Sequence, residues 1–170
     1  MEINQILIDK SIKEKEKVEL LSTLLLKGTL DINEFIELIL NLKDIDKGTC
    51  IEAIEYTTKT KPELATEMTL DYVVESLSSK APRVKWESAK VIGNIIHKFP
   101  DKIDFALTNL LKNASHEGTV VRWSAAFALG EILMLKSKNN TELIPKVHEI
   151  IEQEEKNSIK KIYQKALKKV

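Results

Sequence analysis

The sequence predicts an all-α chain, a right-handed α-solenoid of about five stacked antiparallel helix pairs. The first observation behind this is an internal repeat. The segment PRVKWESAKVIGNI, from Pro82 to Ile95, returns almost position for position as TVVRWSAAFALGEI, from Thr119 to Ile132. Val84, Lys85, Trp86, Ala89, Gly93 and Ile95 answer to Val121, Arg122, Trp123, Ala126, Gly130 and Ile132, with one offset of 37 from 84 to 121 and from 95 to 132. A period between about 20 and 50 residues marks stacked repeat units. The second observation is helical periodicity: Val84, Ser88, Val91, Ile92 and Ile95 share one face, as do Val121, Ala125, Ala128, Leu129 and Ile132. The third is that no segment alternates with period two, so no sheet is expected. One helix pair cannot bury its own apolar face, and stacking on its neighbours supplies the missing contact.

Taken in order, residues 3 to 9 read as a short helix. A longer one follows through Lys27, with Ser11 as N-cap and Glu14 at the capping-box position; Val18, Leu21, Leu24 and Leu25 face inward and Gly28 stops it. Asp31 caps the next helix, with Glu34 three residues on and Phe35, Ile36, Leu38, Ile39 and Leu42 inside, ending near Lys43. DIDKG reads as a turn, and residues 49 to 60 as a helix with Cys50, Ala53, Ile54 and either Thr57 or Tyr56 inward. Pro62 suits the first turn of a helix running to Ser78, with Leu64, Met68, Leu70, Val73, Val74 and Leu77 inside. The link SSKAP leads to the first repeat helix, from Arg83 to Lys98. Pro100 then opens a helix carrying Ile103, Phe105, Ala106, Leu107, Leu110 and Leu111, and the second repeat helix spans Val120 to Lys136. In the helix of Thr141 to Glu155, Pro145 is expected to kink the first turns or mark the true start. Asn157 or Ser158 caps the last helix, whose apolar side is Ile159, Ile162, Tyr163, Ala166, Leu167 and Val170. These helices form one domain, 1–170, with units at 1–28, 31–60, 62–98, 100–137 and 140–170.

Gly93 and Gly130 lie inside helices, where glycine costs about 0.5–1 kcal/mol relative to alanine. With Ser88, Ala89, Ala125 and Ala126 they form a low strip along which a neighbouring helix approaches closely. VKWESAKVIG and VRWSAAFALG resemble the second helix of a HEAT repeat, whose pattern is Val-Arg, two free positions, Ala-Ala, one free position, Ala-Leu-Gly. The resemblance implies a HEAT-like solenoid whose second helices line the concave face, here the helices around 49–60, 83–98, 120–136 and 158–170.

Composition narrows the function. At 170 residues and 43% hydrophobic the chain builds a continuous core, which with 5% aromatics is mostly Leu, Ile, Val and Ala. Lys plus Arg and Asp plus Glu both total 26, which argues against a dedicated nucleic-acid or anionic-membrane surface. Cys50 is the only cysteine, so no intramolecular disulfide forms and a reducing compartment fits. The N-terminus lacks a signal-peptide pattern and no stretch approaches about 18 apolar residues, so a soluble, cytoplasmic protein is expected.

Trp86 and Trp123 are the only tryptophans and occupy equivalent positions. Steps of one turn reach Lys90, Asn94 and His97 from the first, and Phe127, Glu131 and Met134 from the second. The indoles form either an aromatic stripe that grips a partner segment or spacers between repeats. As a site, the stripe gains Lys161 at one end and the unit around Ile51 and Glu55 at the other. Lys85 and Arg122 hold the position that in HEAT repeats pairs with acids of the preceding turn, where this chain offers only Glu117. His148 opens HEIIE, but Glu152 stands where a zinc-protease motif needs its second histidine, so no metal site is expected. The lysines of the last helix follow an acidic run and read as a solvated end cap.

The resemblance implies a binding scaffold without catalytic residues or cofactor. It recognises a protein or peptide partner on its concave face, with Trp86, Lys90, Arg122, Trp123, Phe127 and Lys161 as contacts. Two HEAT-like enzyme groups give a rival reading: alkylpurine DNA glycosylases, which hold DNA in a basic groove lined with tryptophans, and bilin lyases. Balanced charge weighs against the first, because phosphate contacts dominate affinity for DNA. A third reading is a structural subunit that self-associates through the last helix, where Ile159, Ile162 and Tyr163 have no following helix to cover them.

Overall fold

A computed structural model describes residues 3–170. They form ten α-helices and no strand: α1 (Ile3–Ile8), α2 (Glu14–Leu26), α3 (Ile32–Ile39), α4 (Asp44–Thr60), α5 (Glu67–Ser76), α6 (Pro82–Ile95), α7 (Ile103–Asn113), α8 (Thr119–Met134), α9 (Asn140–Gln153) and α10 (Asn157–Leu167). The even-numbered helices stack side by side, α2 on α4, α4 on α6, α6 on α8 and α8 on α10, and make the broadest contacts in the molecule. The odd-numbered helices form the other layer and touch one another sparingly. An α-solenoid follows, with the even layer closely spaced and therefore concave. Leu21, Phe35, Ile39, Ile54, Leu70, Ile92 and Ile95 belong to one core that runs between the layers.

Several ends differ from the sequence expectation, each for a local reason. Ser11 does not cap α2: its backbone N–H and hydroxyl both donate to Asp9, and the helix starts at Glu14. Glu14 instead accepts from the Thr49 hydroxyl on α4. Gly28, at φ +69°, closes α2 as expected, its N–H bonding Leu25 O at 3.0 Å while Thr29 N–H bonds Leu24 O at 3.0 Å. Asp31 caps α3 by accepting from the N–H groups of Asn33 and Glu34. DIDKG is not a turn but the first turns of α4, and the break falls earlier, after Ile39. Gly48 is needed there because a Cβ would lie 2.9 Å from Arg83 Cδ, so the glycine makes room for that stem.

Pro62 starts only a 3₁₀ turn, Pro62–Leu64, after which Thr66 forms a reciprocal capping box with Thr69 and opens α5. Pro100 likewise begins a 3₁₀ turn, Pro100–Lys102, ahead of α7. Phe105, expected inside, is 50% exposed, because α7 buries the face defined by Ile103, Ala106 and Leu110. Pro145 neither starts nor splits α9, which runs through it from Asn140. No side chain of Asn157 or Ser158 caps α10; the Glu154 carboxylate takes the Lys156 N–H at 2.9 Å. The apolar residues of α10 are also covered rather than presented: Ile159 and Tyr163 are buried against α8 and α9. The apolar end face on which self-association was expected is therefore absent at those two positions.

Candidate protein-binding groove on the concave face

The even helices α4, α6 and α8 each keep one strip less buried than the rest. On α4 the buried residues include Cys50, Ile51, Ala53, Ile54, Thr57 and Thr58, so the open strip is Glu52, Tyr56 and Lys59. Tyr56 is 53% exposed. The expected end of the stripe, Ile51 and Glu55, lies instead in the interior, because the register of this helix is blurred in sequence. On α6 the strip is Trp86, Lys90 and Asn94, and on α8 it is Trp123, Phe127, Glu131 and Met134.

The two tryptophans occupy different surroundings. Trp86 Nε1 donates to Glu87 at 2.7 Å, and Lys90 Nζ reaches Glu87 at 2.8 Å and Glu55 at 3.6 Å. Burial pushes the Glu87 carboxyl above its usual range despite these donors. Burial also opposes the charge on Lys90, but the bond to Glu87 and the nearby Glu55 outweigh it and hold the ammonium protonated. Trp86 and Lys90 are thus held in an internal network.

Trp123 remains 40% exposed and stacks on Phe127, with ring centroids 6.2 Å apart and planes 12° from parallel. Phe127 can lie down only because α6 has a glycine beneath it: a Cβ on Gly93 would stand 2.3 Å from Phe127 Cε1. Gly130, the repeat-equivalent position, faces α10, where a Cβ would meet Ala166 Cβ at 3.5 Å and Ile162 Cγ2 at 3.6 Å. Between α8 and α10 lies a groove of about 260 Å³, walled by Trp123, Phe127, Glu131 and Met134 on one side and by Ile162, Lys165 and Lys169 on the other. Lys161 is exposed on the same helix but does not line it.

Arg122 points elsewhere. Its guanidinium bonds Glu154 at 2.8 and 3.3 Å and the carbonyls of His116 and Glu117 at 2.9 Å each. The acid comes from the following unit and not from the preceding turn, where Glu117 contributes only its backbone. Lys85 similarly reaches Leu77 O at 3.0 Å and Asn113 Oδ1 at 3.3 Å. Sequence reasoning missed Tyr56, Ile162, Lys165 and Lys169, because the second and last units lack the repeat signature that aligned the third and fourth.

Cys50 is buried and its thiol is pushed up to about 12, chiefly by burial, so it is a packing residue and not a nucleophile. Among the described residues no group of three or more His, Cys, Asp or Glu side chains is placed to hold a metal ion, and no helix is long and apolar enough to cross a membrane.

No family model matches the chain, and no curated protein matches it. Solved structures do. A computationally designed armadillo repeat protein for modular peptide recognition superposes with a TM-score of 0.75 at 15% identity, covering 98% of this chain and 80% of that one. A second designed armadillo repeat protein, in complex with the peptide (KR)4, gives 0.76 at 15% identity, with coverages of 98% and 79%. The complex of CpcE and CpcF of phycocyanin lyase from Nostoc sp. PCC7120 gives 0.72 at 17% identity, with 97% of each chain covered. The fold is that of armadillo and HEAT-type repeats.

Glu131 makes no ion pair or side-chain hydrogen bond among the described residues. Burial pushes its carboxyl up, and Lys169, His97 and Lys165 only partly offset this. A carboxyl with a raised folded-state value costs stability once ionised, and the cost disappears as pH falls below the unfolded value. Glu131→Gln is therefore expected to raise Tm at about pH 7 and to leave it unchanged at about pH 3.5, below the usual carboxylate range. Calorimetry at both values checks this; an equal gain at both overturns the electrostatic account.

Proposed function

We propose that this chain is a repeat scaffold that binds a protein segment along its concave face, anchored in the groove between α8 and α10. The observation that carries this reading is the stack of the exposed Trp123 on the half-buried Phe127, opening on an apolar groove. A large aromatic surface held rigid and left uncovered is the kind of anchor on which interface energy concentrates. Gly93 costs helix stability and its absent Cβ is what seats Phe127, so the helix carries a penalty that the groove uses. The peptide complex of a designed armadillo protein supports the same reading by showing that the fold serves this task.

On this reading Trp123 and Phe127 are the central contacts, Trp86 and Lys90 extend the surface toward α4, and Tyr56 marks its far end. Arg122 acts through structure, by holding α10 in place. The test is affinity capture from lysate with the wild type, with Trp123→Ala and with Phe105→Ala, an exposed aromatic on the opposite layer. Captured proteins are expected to survive Phe105→Ala and to be lost with Trp123→Ala. For an isolated partner the loss is expected at about 2 kcal/mol or more, roughly 30-fold in Kd. Equal capture by all three proteins removes the groove as the binding site.

A further inference from the structure

On the even-numbered helices Arg83, Lys90 and Arg122 are each paired with a carboxylate, at 2.7, 2.8 and 2.8 Å. The lysines on and just after α10 are different. Lys161 and Lys165 stand one turn apart on the helix, where like charges repel, Lys169 lies in the turn just beyond its end, and among the described residues none makes an ion pair. Lys165 and Lys169 form the rim of the groove, and Glu131 is the one carboxylate among its lining residues. The rim therefore carries excess positive charge over an apolar floor, and its long stems can lie along that floor while their ammonium groups stay in water.

The geometry points to an acidic protein segment as the occupant: an aromatic or aliphatic side chain enters between the Trp123–Phe127 stack and α10, and flanking carboxylates meet Lys165 and Lys169. This rests on the groove being the binding site. The volume of about 260 Å³ is below the about 300–1,000 Å³ of a small-molecule pocket, and suits one large side chain. A nucleic acid fits less well. Its phosphates would face the Glu131 wall, and its affinity needs many more cations than this rim offers.

The test is selection of random displayed peptides on the wild type and, in parallel, on Trp123→Ala. The wild type is expected to enrich peptides with Asp or Glu flanking a single Phe, Tyr, Trp, Leu or Ile. A synthetic copy is expected to bind at least about tenfold more weakly to Lys165→Glu, Lys169→Glu and to show an intermediate loss with the milder Lys165→Gln, Lys169→Gln pair. Circular dichroism establishes that both variants are folded. Enrichment of Lys- or Arg-rich peptides on the wild type alone overturns the acidic occupant but keeps the groove. Unchanged affinity in both lysine variants also overturns it. Identical selections on wild type and Trp123→Ala sink the groove reading itself. Tighter binding of a single-stranded oligonucleotide than of every selected peptide replaces the protein segment with nucleic acid.

Discussion

Arg122→Ala is expected to destabilise the solenoid by about 3 kcal/mol, because it strands a carboxylate that the fold has buried. Glu154 is only 3% exposed at its side chain, and Arg122 is its cationic partner at 2.8 Å. The loss corresponds to a fall in Tm of about 6–12 °C for a chain of this size. Arg122→Lys is expected to recover part of it, since a point charge replaces the fork that holds both carboxylate oxygens and two backbone carbonyls. A Tm for Arg122→Ala within about 1 °C of wild type would show that solvent takes over the pairing.

The pH dependence of the same pair has a definite sign. Burial raises the Glu154 carboxyl, but the Arg122 guanidinium and the Lys156 N–H outweigh it, and the group ends below its usual value. A lowered carboxyl contributes stability that is complete above the unfolded value, about 4.3, and is lost as pH falls through the folded one. The wild type is thus expected to lose its advantage over Arg122→Ala on acidification below about pH 4.5. The pair also matters for the groove. Glu154 takes the Lys156 N–H at the entrance to α10, so Arg122 fixes the helix that supplies Ile162 and Lys165 and leads into Lys169.

Opposite effects are expected at the two repeat-equivalent glycines. Gly93→Ala puts a methyl 2.3 Å from Phe127 Cε1, which must leave its stack on Trp123. Overpacking of this kind costs about 1–3 kcal/mol, more than the gain in helix propensity of up to about 1 kcal/mol. Gly130→Ala meets Ala166 and Ile162 at 3.5 and 3.6 Å, ordinary contact distances, and is expected to stabilise by about 0.5–1 kcal/mol. Urea titrations of both variants decide the matter, and the tryptophan fluorescence of Gly93→Ala reports the disrupted stack. A stabilising Gly93→Ala would show that Phe127 moves aside without penalty.

How far the sequence reaches can be read from particular positions. The repeat of Trp86 on Trp123 established a helical array, because identical spacing on two amphipathic helices has few other solutions. Gly28 and Asp31 marked helix ends correctly, since capping is chemistry within a few residues. Ser11 failed in the same role because the helix begins three residues later, at Glu14, with Lys13 at the cap position. The turn read at DIDKG was wrong for a distant reason: Gly48 serves the stem of Arg83, thirty-five positions along the chain, and nothing local announces it.

For the candidate site the sequence determined the chemistry available: two tryptophans, a phenylalanine one turn beyond the second, and a helix rich in lysine. Tertiary structure decided which of these stand together. Equivalent positions in a repeat share a helix face but not a neighbour, because each packs on the unit that follows it. The unit after α6 is α8, which lays Phe127 over Gly93, whereas the unit after α8 is α10, which brings Ala166 to Gly130 and two lysines to the groove. The same asymmetry turned Arg122 to Glu154 in the next unit, whereas the tie of Trp86 to Glu87 is local, since Ser124 stands at the position after Trp123.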